Sequence, residues 1–106
     1  MVEWERLREE IVERLEPLKP EKILLFGSYA EERNGPESDI DLMIVKNLPP
    51  EKLRAFRLEA RKRLRDLIYR YRIGLDLFAV TEEDFRRRDD YFFRVDLRQK
   101  AKILYE

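Results

Sequence analysis

Two short apolar runs, Ile23-Leu24-Leu25-Phe26 and Leu42-Met43-Ile44-Val45, constrain this chain more than any other feature. The first is four apolar residues in a row, the pattern of a strand covered on both faces. It stops at Gly27-Ser28. Ten residues later the chain enters the second run through Asp39-Ile40-Asp41. That second stretch alternates: Asp39, Asp41 and Met43 belong to one side of a strand, and Ile40, Leu42 and Ile44 to the other. Asn34-Gly35-Pro36, between the two runs, is turn punctuation.

The flanking sequence supplies the layers that such strands need. Residues 2–16 set Trp4, Leu7, Ile11 and Leu15 at helical spacing, with Pro17 and Pro20 ending the helix. Residues 28–33 read as a short helix starting at the Gly-Ser turn. Pro49-Pro50 opens a long helix over about residues 50–71, its buried stripe drawn from Leu53, Phe56, Ala60, Leu64, Leu67, Ile68 and Tyr71, with Gly74 capping its exit. Leu75 to Val80 is a third strand, on which Asp76, Phe78 and Val80 share a side. Thr81-Glu82-Glu83-Asp84 resembles a helix start. Residues 90–99 read as helical, and Ile103-Leu104-Tyr105 as a short last strand. The expectation is one α/β (α+β) domain over residues 1–106, a small mixed sheet of three to four strands with helices packed on it.

Composition removes several function classes. At 106 residues the chain can bury one modest core. With 43% apolar and 43% charged residues it is too hydrophobic for disorder and too charged for a membrane protein. No secretory signal is visible and there is no cysteine, which together predict a cytoplasmic location. Without cysteine or histidine, carboxylates are the metal ligands available, and they select a hard ion such as Mg²⁺.

The carboxylates are where chemistry is expected. Asp39 and Asp41, two apart on a strand, lie on one face about 6–7 Å apart at the backbone. Without a cation they repel, and one has to take up a proton. Asp76 is the one acid inside the third strand and needs a partner there. If that strand pairs beside the second, three acids converge in the manner of a two-metal phosphoryl-transfer site. Gly27 allows close backbone approach to a phosphate, and Ser28 adds a hydroxyl and exposed amides at a helix start. Each part alone is common, since Gly-Ser is frequent and Asp-x-Asp often marks a turn or cap. The combination is what points to a site.

The segments GSYA, SDIDL and LDLF resemble the nucleotidyltransferase fold of the DNA polymerase β superfamily, whose signature is Gly-Ser followed after about ten residues by Asp-x-Asp. Length and layout, with the closing ILYE, are similar to the minimal nucleotidyltransferases. That resemblance implies that Asp39, Asp41 and Asp76 bind Mg²⁺ and act in catalysis, with Gly27 and Ser28 holding the nucleotide phosphates. It also implies ATP as donor and a HEPN-domain toxin as partner, neutralised by transfer of AMP to its tyrosine. The family pattern continues Gly-Ser-x-Ala with Arg-Gly. Here Glu31-Glu32 follow Ala30, and Arg33 comes two positions late as the substitute nucleotide-binding cation. Two anions so close to a triphosphate keep a second reading open, a binding antitoxin that acts by occlusion. A third is a small-molecule or RNA nucleotidyltransferase with a borrowed specificity domain.

Residues 51–72 carry nine Lys/Arg against three Asp/Glu, whereas residues 31–41 carry five acids against Arg33. The basic face (Arg54, Arg57, Arg61, Lys62, Arg63, Arg65) reads first as solvated surface. Direct nucleic-acid binding is not expected, because no aromatic platform is interleaved with it. Tyr91-Phe92-Phe93 read as core packing or as a partner surface, and Tyr69 and Tyr71 as core or rim.

Overall fold

A computed structural model describes residues 4–27, 29–30, 39–88 and 100–106. Its elements are α1 (Trp4–Leu15), a 3₁₀ turn (Glu16–Leu18), β1 (Lys22–Phe26), β2 (Ile40–Val45), α2 (Pro50–Tyr71), β3 (Leu75–Val80), α3 (Glu82–Arg87) and β4 (Lys102–Tyr105). Most of the predicted short helix at 28–33, the turn at 34–36 and the helix at 90–99 with Tyr91-Phe92-Phe93 lie outside the described residues. Among the described residues no helix is long and apolar enough to cross a membrane.

The sheet is four-stranded and mixed, in the order β3-β2-β1-β4. β1 runs antiparallel to both β2 and β4, while β2 and β3 are parallel. A parallel pair needs a long crossover, which the 22-residue α2 provides. The alternation along β2 sorts the core. Ile40, Leu42 and Ile44, with Ile23, Leu25, Leu75 and Leu77, pack against Leu7, Ile11 and Leu15 of α1 and Ala60, Leu64 and Leu67 of α2. On the reverse face Leu24, Phe26, Met43, Val45 and Val80 pack against Phe85 of α3. α3 starts at Thr81, whose hydroxyl accepts a hydrogen bond from the Asp84 N–H at 3.1 Å.

The seam between α1 and α2 is polar at its rim. Arg14 forks onto the Asp66 carboxylate and also donates to the Arg63 carbonyl at 3.1 Å. Arg70 donates to Glu10 at 2.7 Å, and the Tyr71 hydroxyl donates to the second Glu10 oxygen. Exposed ion pairs contribute about 0–1 kcal/mol each. Burying one Leu or Ile contributes about 1.5–3 kcal/mol. The apolar stripe therefore holds α1 on α2, and the ion pairs fix how the two helices are set.

Three expectations need correction. α2 is capped by Arg72 in the left-handed region (φ 52°), its N–H donating to the Ile68 carbonyl; Gly74 has no positive φ. The chain has to turn right after Tyr71 to reach β3, so a non-glycine residue takes the strained position. Tyr69 is neither core nor rim: at 76% exposure it points into solvent. In the predicted α2 stripe Ala60, Leu64 and Leu67 are buried, but Leu53, Phe56, Ile68 and Tyr71 are half-buried, because the ends of a long helix overhang a narrow sheet.

Tyr71, whose hydrogen bond is the largest influence, and Arg70 hold the Glu10 carboxyl below its ordinary value of 4.5. A depressed folded-state pKa stabilises above the unfolded value and loses that contribution as pH falls through the folded one. Glu10→Gln should therefore lower the urea midpoint at neutral pH, with the gap to the parent closing in acid. A gap independent of pH would mean that Glu10 acts through packing alone.

Candidate functional site

The site grows from the end of β1. Gly27 leaves the strand with φ +78°, and a Cβ built on it would lie 2.3 Å from Asp41 Oδ2. Glycine is required here twice, once for the left-handed backbone and once because the Asp41 carboxylate lies against it. Asp41 itself is half-buried on β2, with Phe26 as its antiparallel partner on β1.

On its other side Asp41 pairs in register with Asp76 of the parallel strand β3. Partners in a parallel ladder project to the same face, so with β3 beside β2 the third acid stands beside the second. Both lie on the face opposite α1 and α2. Burial, then the charge of Asp76 and a hydrogen bond with it, then the charge of Asp39, push the Asp41 carboxyl up to about 6. Asp41 therefore holds its proton to a higher pH than an ordinary carboxyl does.

Asp39 precedes β2 by one residue and is exposed. Its carboxylate lies over Gly74, where a Cβ would fall 2.0 Å from Oδ1. The adjoining amide of Ile40 donates to the Gly74 carbonyl at 2.9 Å, which fixes this corner of the parallel pair. Gly74 thus lies against Asp39 at the candidate site, where sequence reasoning assigned it to the helix end. A glycine shortly after a helix carries both signals, and only the strand register separates them.

Among the described residues no three acidic side chains are gathered tightly enough to hold an ion as they stand. What is assembled is the Asp41–Asp76 pair, with Asp39 turned onto Gly74. The donor set still fits a hard divalent cation. It is all oxygen, and the burial and crowding that raise the Asp41 carboxyl to about 6 are a charge conflict that a cation would relieve. Gly27 is in place beside the acids; Ser28 and Arg33 lie outside the described residues. Phe78, two residues along β3 from Asp76, is 45% exposed and packs on Phe26 with ring centroids 5.8 Å apart. This aromatic neighbour of the acids was visible in sequence only as a residue sharing their side.

Comparison with known proteins agrees with the geometry. Residues 5–104 match the family described as "Nucleotidyltransferase domain". The chain is 40% identical over 89 residues to "Putative protein adenylyltransferase MJ1305" of Methanocaldococcus jannaschii, a match covering 79% of this chain and 57% of that protein. It is 27% identical over 84 residues to "Putative protein adenylyltransferase MJ0604" of the same organism, covering 79% and 77%. Two solved structures share the fold at a TM-score of 0.58 and 21% identity, each over 92% of this chain. One is a toxin-antitoxin crystal structure with AMP-PNP, matched over 72% of its chain. The other is "a putative nucleotidyltransferase from Sulfolobus solfataricus", matched over 76%.

The two glycines should respond differently to alanine. Gly27→Ala meets both a left-handed backbone, at about 1–2 kcal/mol, and the Asp41 carboxylate. Gly74→Ala meets only an exposed carboxylate that can rotate away, so its cost should stay under about 1 kcal/mol while Asp39 moves. Urea denaturation of both variants, and of Gly74→Ala combined with Asp39→Ala, checks this. A larger loss for Gly74→Ala than for Gly27→Ala would assign Gly74 to the fold rather than to the site.

Proposed function

The chain belongs to the nucleotidyltransferase domain family, and from that premise we propose that it transfers AMP from ATP to a tyrosine hydroxyl of a HEPN-type toxin, so acting as an antitoxin. The observation that carries this reading is the parallel register pairing Asp41 with Asp76, two residues beyond Asp39. The relatives named protein adenylyltransferases and the toxin-antitoxin neighbour with AMP-PNP support the donor and the kind of partner. The chain spans 57% of the length of the first of those relatives, so acceptor and partner are part of the proposal.

In this mechanism the bare backbone of Gly27, with Ser28, receives the phosphates, and Arg33 neutralises part of their charge. Asp39, Asp41 and Asp76 would hold Mg²⁺, which would supply positive charge against the triphosphate. Asp76, at the open end of the trio, orients the acceptor hydroxyl and takes its proton. The acceptor oxygen forms a bond to the α-phosphorus, the bond from that phosphorus to the bridging oxygen breaks in line, and pyrophosphate leaves. A cytoplasmic setting follows from ATP as donor.

The second reading, neutralisation by binding alone, is favoured by one feature of the sequence: Glu31-Glu32 stand where the family pattern has Arg-Gly, two anions in place of a cation. Labelled ATP, Mg²⁺ and a candidate HEPN-domain partner, taken from the neighbouring gene, separate the two. Asp39→Asn, Asp41→Asn and Asp76→Asn should each cut label transfer by about a hundredfold or more, the scale of losing one group that stabilises transition-state charge. Toxin inhibition that survives all three changes, with no label transferred by the parent, would replace the enzyme reading with the binding one.

A further inference from the structure

We propose that the open edge of β3 is the docking strand for an extended, acidic segment of the acceptor polypeptide, which pairs with it by backbone hydrogen bonds and so delivers its hydroxyl to Asp76. This rests on the nucleotidyl-transfer reading of the site.

Among the described residues β3 forms one edge of the sheet, opposite β4. Its ladder to β2 is anchored by Ile40 N–H to the Gly74 carbonyl at 2.9 Å and Lys46 N–H to the Val80 carbonyl at 3.0 Å. In a parallel ladder alternate residues bond to the same neighbour, so residues 76, 78 and 80 face β2 with both backbone groups. Leu75, Leu77 and Ala79 therefore turn their N–H and C=O away from the sheet. No other backbone partner meets them among the described residues.

Edges of this kind are usually guarded by lysine, proline or a bulge. The β3 sequence LDLFAV has none of these, and its pairing with β2 runs without interruption from Leu75 to Val80. A groove of about 440 Å³ lies against it instead, lined by Leu77, Phe78, Ala79 and Val80 together with Met43, Arg57 and Arg88. Four consecutive strand residues point to alternate faces, so a groove touching all four runs along the backbone edge. Strand addition there takes its affinity from main-chain hydrogen bonds and its selectivity from alternate side chains. Phe78 offers an apolar contact on the face of Asp76, and Arg57 at the groove selects an acidic flank. A second copy of this chain would bring a second Arg57 to the same groove, which disfavours a β3–β3 dimer.

Hydrogen exchange on the full chain reads the edge directly. The amides of Leu77 and Ala79 should exchange about tenfold or more faster than those of Phe78 and Val80, which sit in the ladder. The probe is a short synthetic peptide alternating Val and Glu around a central Tyr, with a Lys-for-Glu counterpart. The acidic peptide should slow the Leu77 and Ala79 amides and the Lys peptide should not. Ala79→Pro, which removes only an outward N–H, should weaken binding about tenfold or more. Arg57→Glu, which leaves the strand untouched, should reverse the preference between the two peptides.

Slow exchange at Leu77 and Ala79 in the free protein would overturn the proposal, whether sedimentation then finds a dimer covering the edge or a monomer. Equal protection by both peptides would overturn it too. Labelled ATP with Mg²⁺ keeps the two readings apart. Peptide docked at the edge without transfer of label, by a parent whose Asp41→Asn variant behaves alike, defeats the transferase reading and leaves the edge standing. Transfer to the acidic peptide that is undiminished in Ala79→Pro and Arg57→Glu defeats the edge and leaves the transferase reading.

Discussion

The parallel register of β2 and β3 is the constraint from which the rest of the molecule follows. It pairs Asp41 with Asp76, and it is held at both ends by backbone hydrogen bonds, Ile40 to Gly74 and Lys46 to Val80. Because side chains alternate with a period of two, a slip of one residue would turn β3 over. Leu75 and Leu77 would leave the helix-covered face, each losing about 1.5–3 kcal/mol of burial, and Asp76 would be forced beneath α2. The repulsion between two neighbouring carboxylates acts against the observed register, but one cation relieves it. The aliphatic side chains thus decide where the acids stand.

The site consequently carries an unresolved electrostatic load on an otherwise ordinary core. The burial of Asp41, with Asp76 alongside, drives its carboxyl to about 6. The two glycines give the carboxylates room, Gly27 under Asp41 and Gly74 under Asp39. A binding site for phosphate and a hard cation needs both properties, concentrated negative charge and bare backbone close to it. The same two properties would be liabilities in a purely structural sheet.

Much of this was legible in the chain because it depends on local period. The spacing of Leu7, Ile11 and Leu15 gave α1, and Pro50 with Tyr71 bounded α2 at the residues found. The alternation from Asp39 to Val45 told which side chains share a face. What local pattern could not carry is contact between distant segments. The function of Gly74 depends on Asp39, 35 positions away, and Arg72 as the helix cap is dictated by how soon β3 must begin. Tyr69 had the right chemistry for a core but falls on the side of α2 turned from the sheet. Strand order is also non-local, so the position of β3 at an edge could not be read from its six residues.

The two faces of the sheet divide labour. Ile40, Leu42 and Ile44 bury themselves under α1 and α2 without involving a single acid, so the scaffold and the chemistry draw on separate sets of side chains. A descendant that lost all three aspartates would keep its shape, and could even gain thermal robustness once the like charges were gone. Architectural kinship among such chains is therefore a poor proxy for turnover. The informative positions when sorting active from silent relatives are the residue just before β2, the second residue of β2 and the second residue of β3.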